Sequence, residues 1–118
     1  INASGQTILP AWCDSHTHLV FAASREEEFV AKLKGMTYAE IAAQGGGILN
    51  SAKKLNAMPQ ELLYDLASER LLELMQKATG AIEIKSGYGL TVEGELRMLR
   101  VIKQLKERAR IPIRATFL

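Results

Sequence analysis

The 118-residue sequence holds one cysteine, Cys13, and two histidines, His16 and His18. A single thiol excludes an internal disulfide and suits a reducing, cytoplasmic setting. No apolar run approaches the ~20 residues of a bilayer span, and no stretch resembles a signal peptide. Charge of one sign is not in excess either. Fifteen Lys and Arg stand against thirteen Asp and Glu, a net charge of +2, with the signs mixed along the chain. Neither nucleic acid nor a membrane is therefore expected as a partner. There are no repeats and no low-complexity segments. The apolar fraction of 47% and charged fraction of 24% are those of an ordinary globular domain.

The chain opens on INASGQTILP, without an initiator Met, and closes on IPIRATFL, an apolar β-type run with no polar tail. Termini are ordinarily frayed and solvated, so both ends read as cuts in a larger protein. Thr7 to Leu9 reads as a short extended segment, and Trp12 to Phe21 as a strand running into a loop. SREE at 24–27 and TYAE at 37–40 have the pattern of capping boxes, each opening a helix. The second of these helices stops at Gly45–Gly47. Ile48 to Met58 reads as helical, with Ile48, Leu49, Ala52 and Leu55 on one face. Pro59 suits the first turn of a helix that carries Leu62, Leu63, Leu66, Leu71, Leu74 and Met75, ended by Gly80. AIEIK at 81–85 is a strand and SGYG a tight loop. A helix from Thr91 to about Ala109 carries Leu96, Leu99, Ile102 and Leu105. A last strand covers 113–118.

Strands alternating with helices predict an α/β fold: parallel strands near 13–19, 81–85 and 113–118, with helices packed outside. Ile82, Ile84, Ile113 and Phe117 are then expected on the sheet face away from the helices.

Side chains two apart on a strand share a face, which sets Asp14, His16 and His18 together and Cys13 opposite, as packing. Neutral imidazole is a good ligand for zinc or iron, and Asp14 is placed to orient a ring nitrogen. The bland alternative is a pair of satisfied or exposed histidines. An apolar strand is nevertheless an awkward home for two polar rings unless something binds them. Arg25, near the start of a helix, suits bidentate capture of a carboxylate; the alternative is an ion pair with Glu26, Glu27 or Glu28. Tyr88, between Gly87 and Gly89 past a strand end, suits hydrogen bonding to a ligand, or simple packing. Lys85 at the strand end has the place of a carbamylated bridging ligand, though no second metal partner accompanies it. Tyr38 and Gly45–Gly47 read first as helix packing and a helix stop.

LPAWCDSHTHLVF resembles the Pro-Gly-x-x-Asp-x-His-x-His segment that opens the barrel of the amidohydrolase superfamily. SREEEF, GGGIL and EIKSGYGLTVEGELRMLRVI, in this order, are similar to its imidazolonepropionase family. The resemblance runs from about Ile8 to Leu118, with Ala11 where the superfamily usually has Gly. It implies a partial TIM (β/α)8 barrel: residues 1–9 ending a small β domain or linker, and 10–118 forming roughly the first three β/α units, truncated at the C-terminal end. It further implies His16 and His18 as the first two ligands of one Zn or Fe ion, and Arg25, Tyr88 and Tyr38 as substrate contacts. The small-molecule substrate carries a carboxylate: 4-imidazolone-5-propanoate, hydrolysed to N-formimidoyl-L-glutamate in histidine degradation. The acid/base and the remaining ligands are expected beyond Leu118, so no catalytic residue lies within the segment, which alone is inactive. The full-length protein is expected to be a homodimer. The alternatives are another cyclic amidase or deaminase of the superfamily, and a non-catalytic binding or assembly fragment.

Overall fold

Parallel strands can be joined only by crossovers of a dozen or more residues, and the helical stretches of this chain provide two. In a computed structural model, which describes residues 2–118, strand β1 (Trp12–Thr17) is followed by four helices. These are α1 (Glu26–Leu33), α2 (Tyr38–Ala43), α3 (Ile48–Ala57) and α4 (Gln60–Gln76). They lead to β2 (Thr79–Lys85), and α5 (Val92–Arg108) leads on to β3 (Ile113–Thr116). The sheet order is β1-β2-β3, and both pairings are parallel. The α/β alternation is thus as the sequence predicts, with β3 ending two residues early. Residue 1 of the 1–9 segment lies outside the described residues, and residues 2–11 carry neither strand nor helix.

One apolar layer joins sheet to helices. Ile82, Ile84 and Ile113 are buried with Leu63, Ala67 and Leu71 of α4 and Met98, Val101, Ile102 and Leu105 of α5. Leu55 of α3 and Leu19–Val20, just after β1, complete the cluster. Burial of each Leu, Ile or Met contributes about 1.5–3 kcal/mol before entropy is counted. The three isoleucines therefore face the helices, which corrects the expectation that they line the opposite side. The apolar stripes of α4 and α5 need an apolar sheet face. Alternation along β2 then leaves Glu83 and Lys85 on the other face. Phe117, just past β3, is 66% exposed.

Several local expectations also shift. TYAE forms its capping box: the Thr37 hydroxyl accepts from the Glu40 N–H at 3.3 Å, and the Glu40 carboxylate accepts from the Thr37 N–H at 2.7 Å. SREE does not, because the Ser24 hydroxyl donates to Glu26 instead and Arg25 becomes the N-cap. In α3, Ala52 and Leu55 are buried, but Leu49 and Ile48 are exposed. Helix α4 ends at Gln76 rather than at Gly80, with Ala78 taking the left-handed turn (φ 69°).

Gly80 lies inside β2 and has another role. A methyl group there would sit 2.5 Å from the Ala11 Cβ, closer than carbon atoms pack. Ala11, unusual for the pattern it belongs to, is accommodated by the missing side chain across the strand. Gly80→Ala is expected to destabilise the protein by about 1–3 kcal/mol, as overpacking does, and Ala11→Gly in the same chain to recover most of that loss. An unchanged denaturation midpoint for Gly80→Ala would show that the strands do not meet this closely.

Candidate active site

Because all three strands run the same way, their C-terminal ends share one edge of the sheet, where ligands of open α/β sheets bind. His16 lies near the end of β1 and His18 just beyond it. Their rings are 5.6 Å apart between centroids, so the two imidazoles converge as alternation predicts. The His18 ring meets Tyr88 edge-on at 5.2 Å. Nδ1 of His18 is a buried polar atom without a hydrogen-bond partner, the one such side-chain atom among the described residues. An orphaned buried acceptor or donor costs about 1–3 kcal/mol, which marks this nitrogen as one awaiting a partner.

The alternation fails elsewhere on β1. Asp14 pairs with Ile82 and Thr17 with Ile84, so three residues of β1 span two of β2, a bulge. Counting by twos from Asp14 to His16 does not survive the extra residue. Asp14 orients no ring nitrogen; its carboxylate accepts the backbone N–H of His16 at 3.3 Å. Cys13, expected to pack, is exposed.

Arg25 makes the ion pair considered for it, with Glu28. Its Nε donates to Glu28 Oε2 at 2.8 Å, with Nη2 on the same oxygen, while Glu28 Oε1 accepts from the Gly47 N–H at 2.9 Å. Glu28 thus ties the guanidinium to the Gly45–Gly47 turn. The hydrogen bond from Arg25 holds the Glu28 carboxyl below the usual range against the opposing effect of burial, with Gly47 and the charges of Arg25 and Lys32 assisting. Tyr38 is more than half exposed, and its hydroxyl sits against Gly47, where an added methyl group would lie 3.4 Å from it.

Tyr88 is carried by residues 86–90, which belong to no strand or helix. Glu95, in the first turn of α5 and 6% exposed, takes three of this loop's N–H groups on its carboxylate. They are Gly87 at 2.6 Å, Gly89 at 2.7 Å and Leu90 at 2.9 Å. Burial alone would raise the Glu95 pKa; the Ser86 hydroxyl and the three amides outweigh it and hold the carboxyl low. On the other side, Asn56 Nδ2 donates to the Gly89 carbonyl at 2.8 Å. Gly89 and Gly94 are in backbone contact, so a methyl group on Gly89 would fall 2.4 Å from the Gly94 carbonyl carbon.

A cavity of about 220 Å³ brings His18, Arg25 and Tyr88 together over Phe21, Leu55 and Ser51. Tyr38 is not part of its wall. A larger cavity of about 410 Å³ also touches Arg25, but it runs between α1 and the Gly45–Gly46 turn and contains neither histidine nor Tyr88. The smaller cavity is the candidate site. Lys85 is engaged away from it: Nζ pairs with Glu83 at 2.8 Å, and Glu83 also accepts from the Thr116 hydroxyl at 2.5 Å. A lysine held in an ion pair is not free to be a carbamylated ligand.

Sequence reasoning left Glu28 as one of three candidate partners for Arg25 and missed Glu95, Asn56 and Arg70. Arg70 donates from α4 to the carbonyls of Leu19 (3.2 Å) and Phe21 (2.9 Å) and stacks 3.5 Å over the Phe21 ring, fixing the segment after His18. The signal for two of them was present. Glu95 stands three before Met98 and seven before Ile102, and Arg70 stands three after Ala67 and seven after Leu63. A charge at a core position of a helix has a buried task.

The Arg25–Glu28 clamp has a pH signature. A carboxyl whose folded pKa lies below its unfolded one, about 4.3 for Glu, adds stability above the unfolded value. It loses that contribution as pH falls through the lowered folded value. The stability difference between the parent and Glu28→Gln is therefore expected to be constant near neutrality and to shrink below about pH 4. A difference that persists undiminished in acid would mean that Glu28 acts through packing alone.

No protein-family model matches the chain. Over all 118 residues it is 65% identical to the imidazolonepropionase of Flavobacterium johnsoniae, 59% to that of Flavobacterium psychrophilum and 54% to that of Christiangramia forsetii. The chain spans 29% of the length of each of these curated relatives. Over its whole length the chain is thus similar in sequence to imidazolonepropionases, matching a segment of their longer sequence.

Proposed function

We propose that these residues form the first β/α units of a (β/α)8 barrel in a cytoplasmic imidazolonepropionase. The whole enzyme hydrolyses 4-imidazolone-5-propanoate to N-formimidoyl-L-glutamate, adding water across a C–N bond of the ring. The observation that carries this reading is the convergence of His18, Arg25 and Tyr88 on one cavity at the C-terminal edge of a parallel sheet. The identity with named imidazolonepropionases over the full chain supports it. Among the described residues no helix is long and apolar enough to cross a membrane.

His16 and His18 would hold a zinc or iron ion. The fit rests on the paired rings and on the unpartnered, buried Nδ1 of His18. Among the described residues no group of three His, Cys, Asp or Glu comes together as a metal site. About three protein ligands are usual for a catalytic zinc, so the remaining ligands, and the proton-transfer group, belong to other parts of the enzyme. When bound, the ion supplies Lewis acidity at the ring carbonyl.

The share of this chain's own residues is binding and orientation. Glu28 occupies Nε and Nη2 of Arg25, leaving Nη1 for a ligand, and the guanidinium is the cation at the cavity that can hold a propanoate. Tyr88 offers a phenol to the ring, and Tyr38 acts at the far side of the Glu28–Gly47 link. Phe21 and Leu55 exclude water from one side of the cavity.

In the full-length enzyme, Arg25→Ala is expected to raise KM far more than it lowers kcat. The loss is about 2–5 kcal/mol if the carboxylate is left buried without its partner, and less in an open pocket. An unchanged KM would remove Arg25 from substrate binding. His16→Ala and His18→Ala are expected to abolish stoichiometric metal, read by elemental analysis of the purified enzyme, while Arg25→Ala keeps it. Metal retained at parent level in both histidine variants would sink the ligand assignment.

A further inference from the structure

We propose that Glu95 is the positioning residue for Tyr88: its carboxylate, delivered by the first turn of α5, shapes the 86–90 loop and so sets the phenol in the cavity. The proposal rests on the reading of Tyr88 as a substrate contact.

A loop without a ladder must find other partners for its backbone N–H groups. Here three of them, from Gly87, Gly89 and Leu90, converge on one carboxylate at 2.6–2.9 Å. An ionised carboxylate is acceptor-only, with about four lone-pair sites, so it can take all three donors at once. At 6% exposure, water is a poor competitor for those bonds. Gln in its place would turn an NH2 group toward N–H donors. Tyr88 lies between the two glycines so held, and Asn56 fixes the Gly89 carbonyl from α3. The Ser86 hydroxyl, at the start of the same loop, accepts the Leu118 N–H at 3.0 Å, which ties the loop to the chain just beyond β3. A charge is costly at a core position flanked by Met98 and Ile102. Filling the core does not require one, whereas holding three amide donors does.

The test is a double-mutant cycle in the full-length, metal-loaded enzyme: Tyr88→Phe, Glu95→Gln and both together, each read by KM and kcat. Glu95→Gln is expected to raise KM about tenfold, the scale of one hydrogen bond to substrate, with a smaller change in kcat. With Tyr88 already Phe, it should add less than about twofold, because residues that act through one another are not additive. A general loss of packing would instead cost the same factor in both backgrounds, and that result overturns the proposal. Hydrogen exchange on the unmodified enzyme is the second arm, independent of whether Glu95→Gln folds. The amides of Gly87, Gly89 and Leu90 are expected to exchange at least about a hundredfold slower than in an open loop; exchange at open-loop rates refutes the hold. A Tyr88→Phe effect without a Glu95→Gln effect defeats this proposal alone. No effect of Tyr88→Phe defeats the substrate role of Tyr88, and this proposal with it.

Discussion

Parallel pairing of β1, β2 and β3 is the constraint from which the rest of the molecule follows. Each strand must be re-entered from the same end, so every strand finishes at one edge, and every turn leaving that edge is free to carry chemistry. His16 and His18, the Tyr88 loop and Leu118 all sit there for that single reason. The same constraint puts helices between the strands, and the apolar stripes of α4 and α5 then claim the isoleucine face of the sheet. What is left is a face with little apolar content, available to polar groups.

The irregular segments at that edge are held by charge, applied locally. Glu95 collects the amides of the 86–90 loop, Arg70 collects the carbonyls after β1, and Glu28 joins a guanidinium to the glycine turn. Each case satisfies backbone groups that no ladder serves, and each uses an ionised partner, whose bonds are about twice as strong as neutral ones. The candidate site is thus walled by loops yet supported by charged side chains delivered from helices.

The order, type and direction of the elements were legible in the sequence, because periods of two and 3.6 separated cleanly and because Pro, Gly and capping patterns marked most ends. The convergence of His16 and His18 was legible from their spacing, and the place of Arg25 and Tyr88 from their position after strand ends. What failed has common causes. Counting by twos cannot see a bulge, so the role of Asp14 was misassigned. Counting only apolar residues rotated the buried face of α5 toward Leu96, which is 40% exposed, and away from Glu95, which is nearly buried. The capping pattern at Ser24 lost to a local side-chain bond with Glu26, and Gly80 answered to a cross-strand contact with Ala11 rather than to a helix end. Long-range contacts decided the first and last of these, and a competing local bond decided the case of Ser24.

The pairing of Glu83 with Lys85 on the helix-free face carries a consequence for whatever lies against it. The two side chains are 23% and 16% exposed, bonded to each other, with Thr116 on the same carboxylate. Their charges cancel within one strand, over a distance of 2.8 Å. The pair presents a dipole rather than a net charge, so a neighbouring layer meets these two residues without supplying a counter-ion to either, while Arg114, opposite Glu83 on β3, stands exposed beside them. Neutralisation of this pair is a local property of β2, complete within three consecutive residues of one strand.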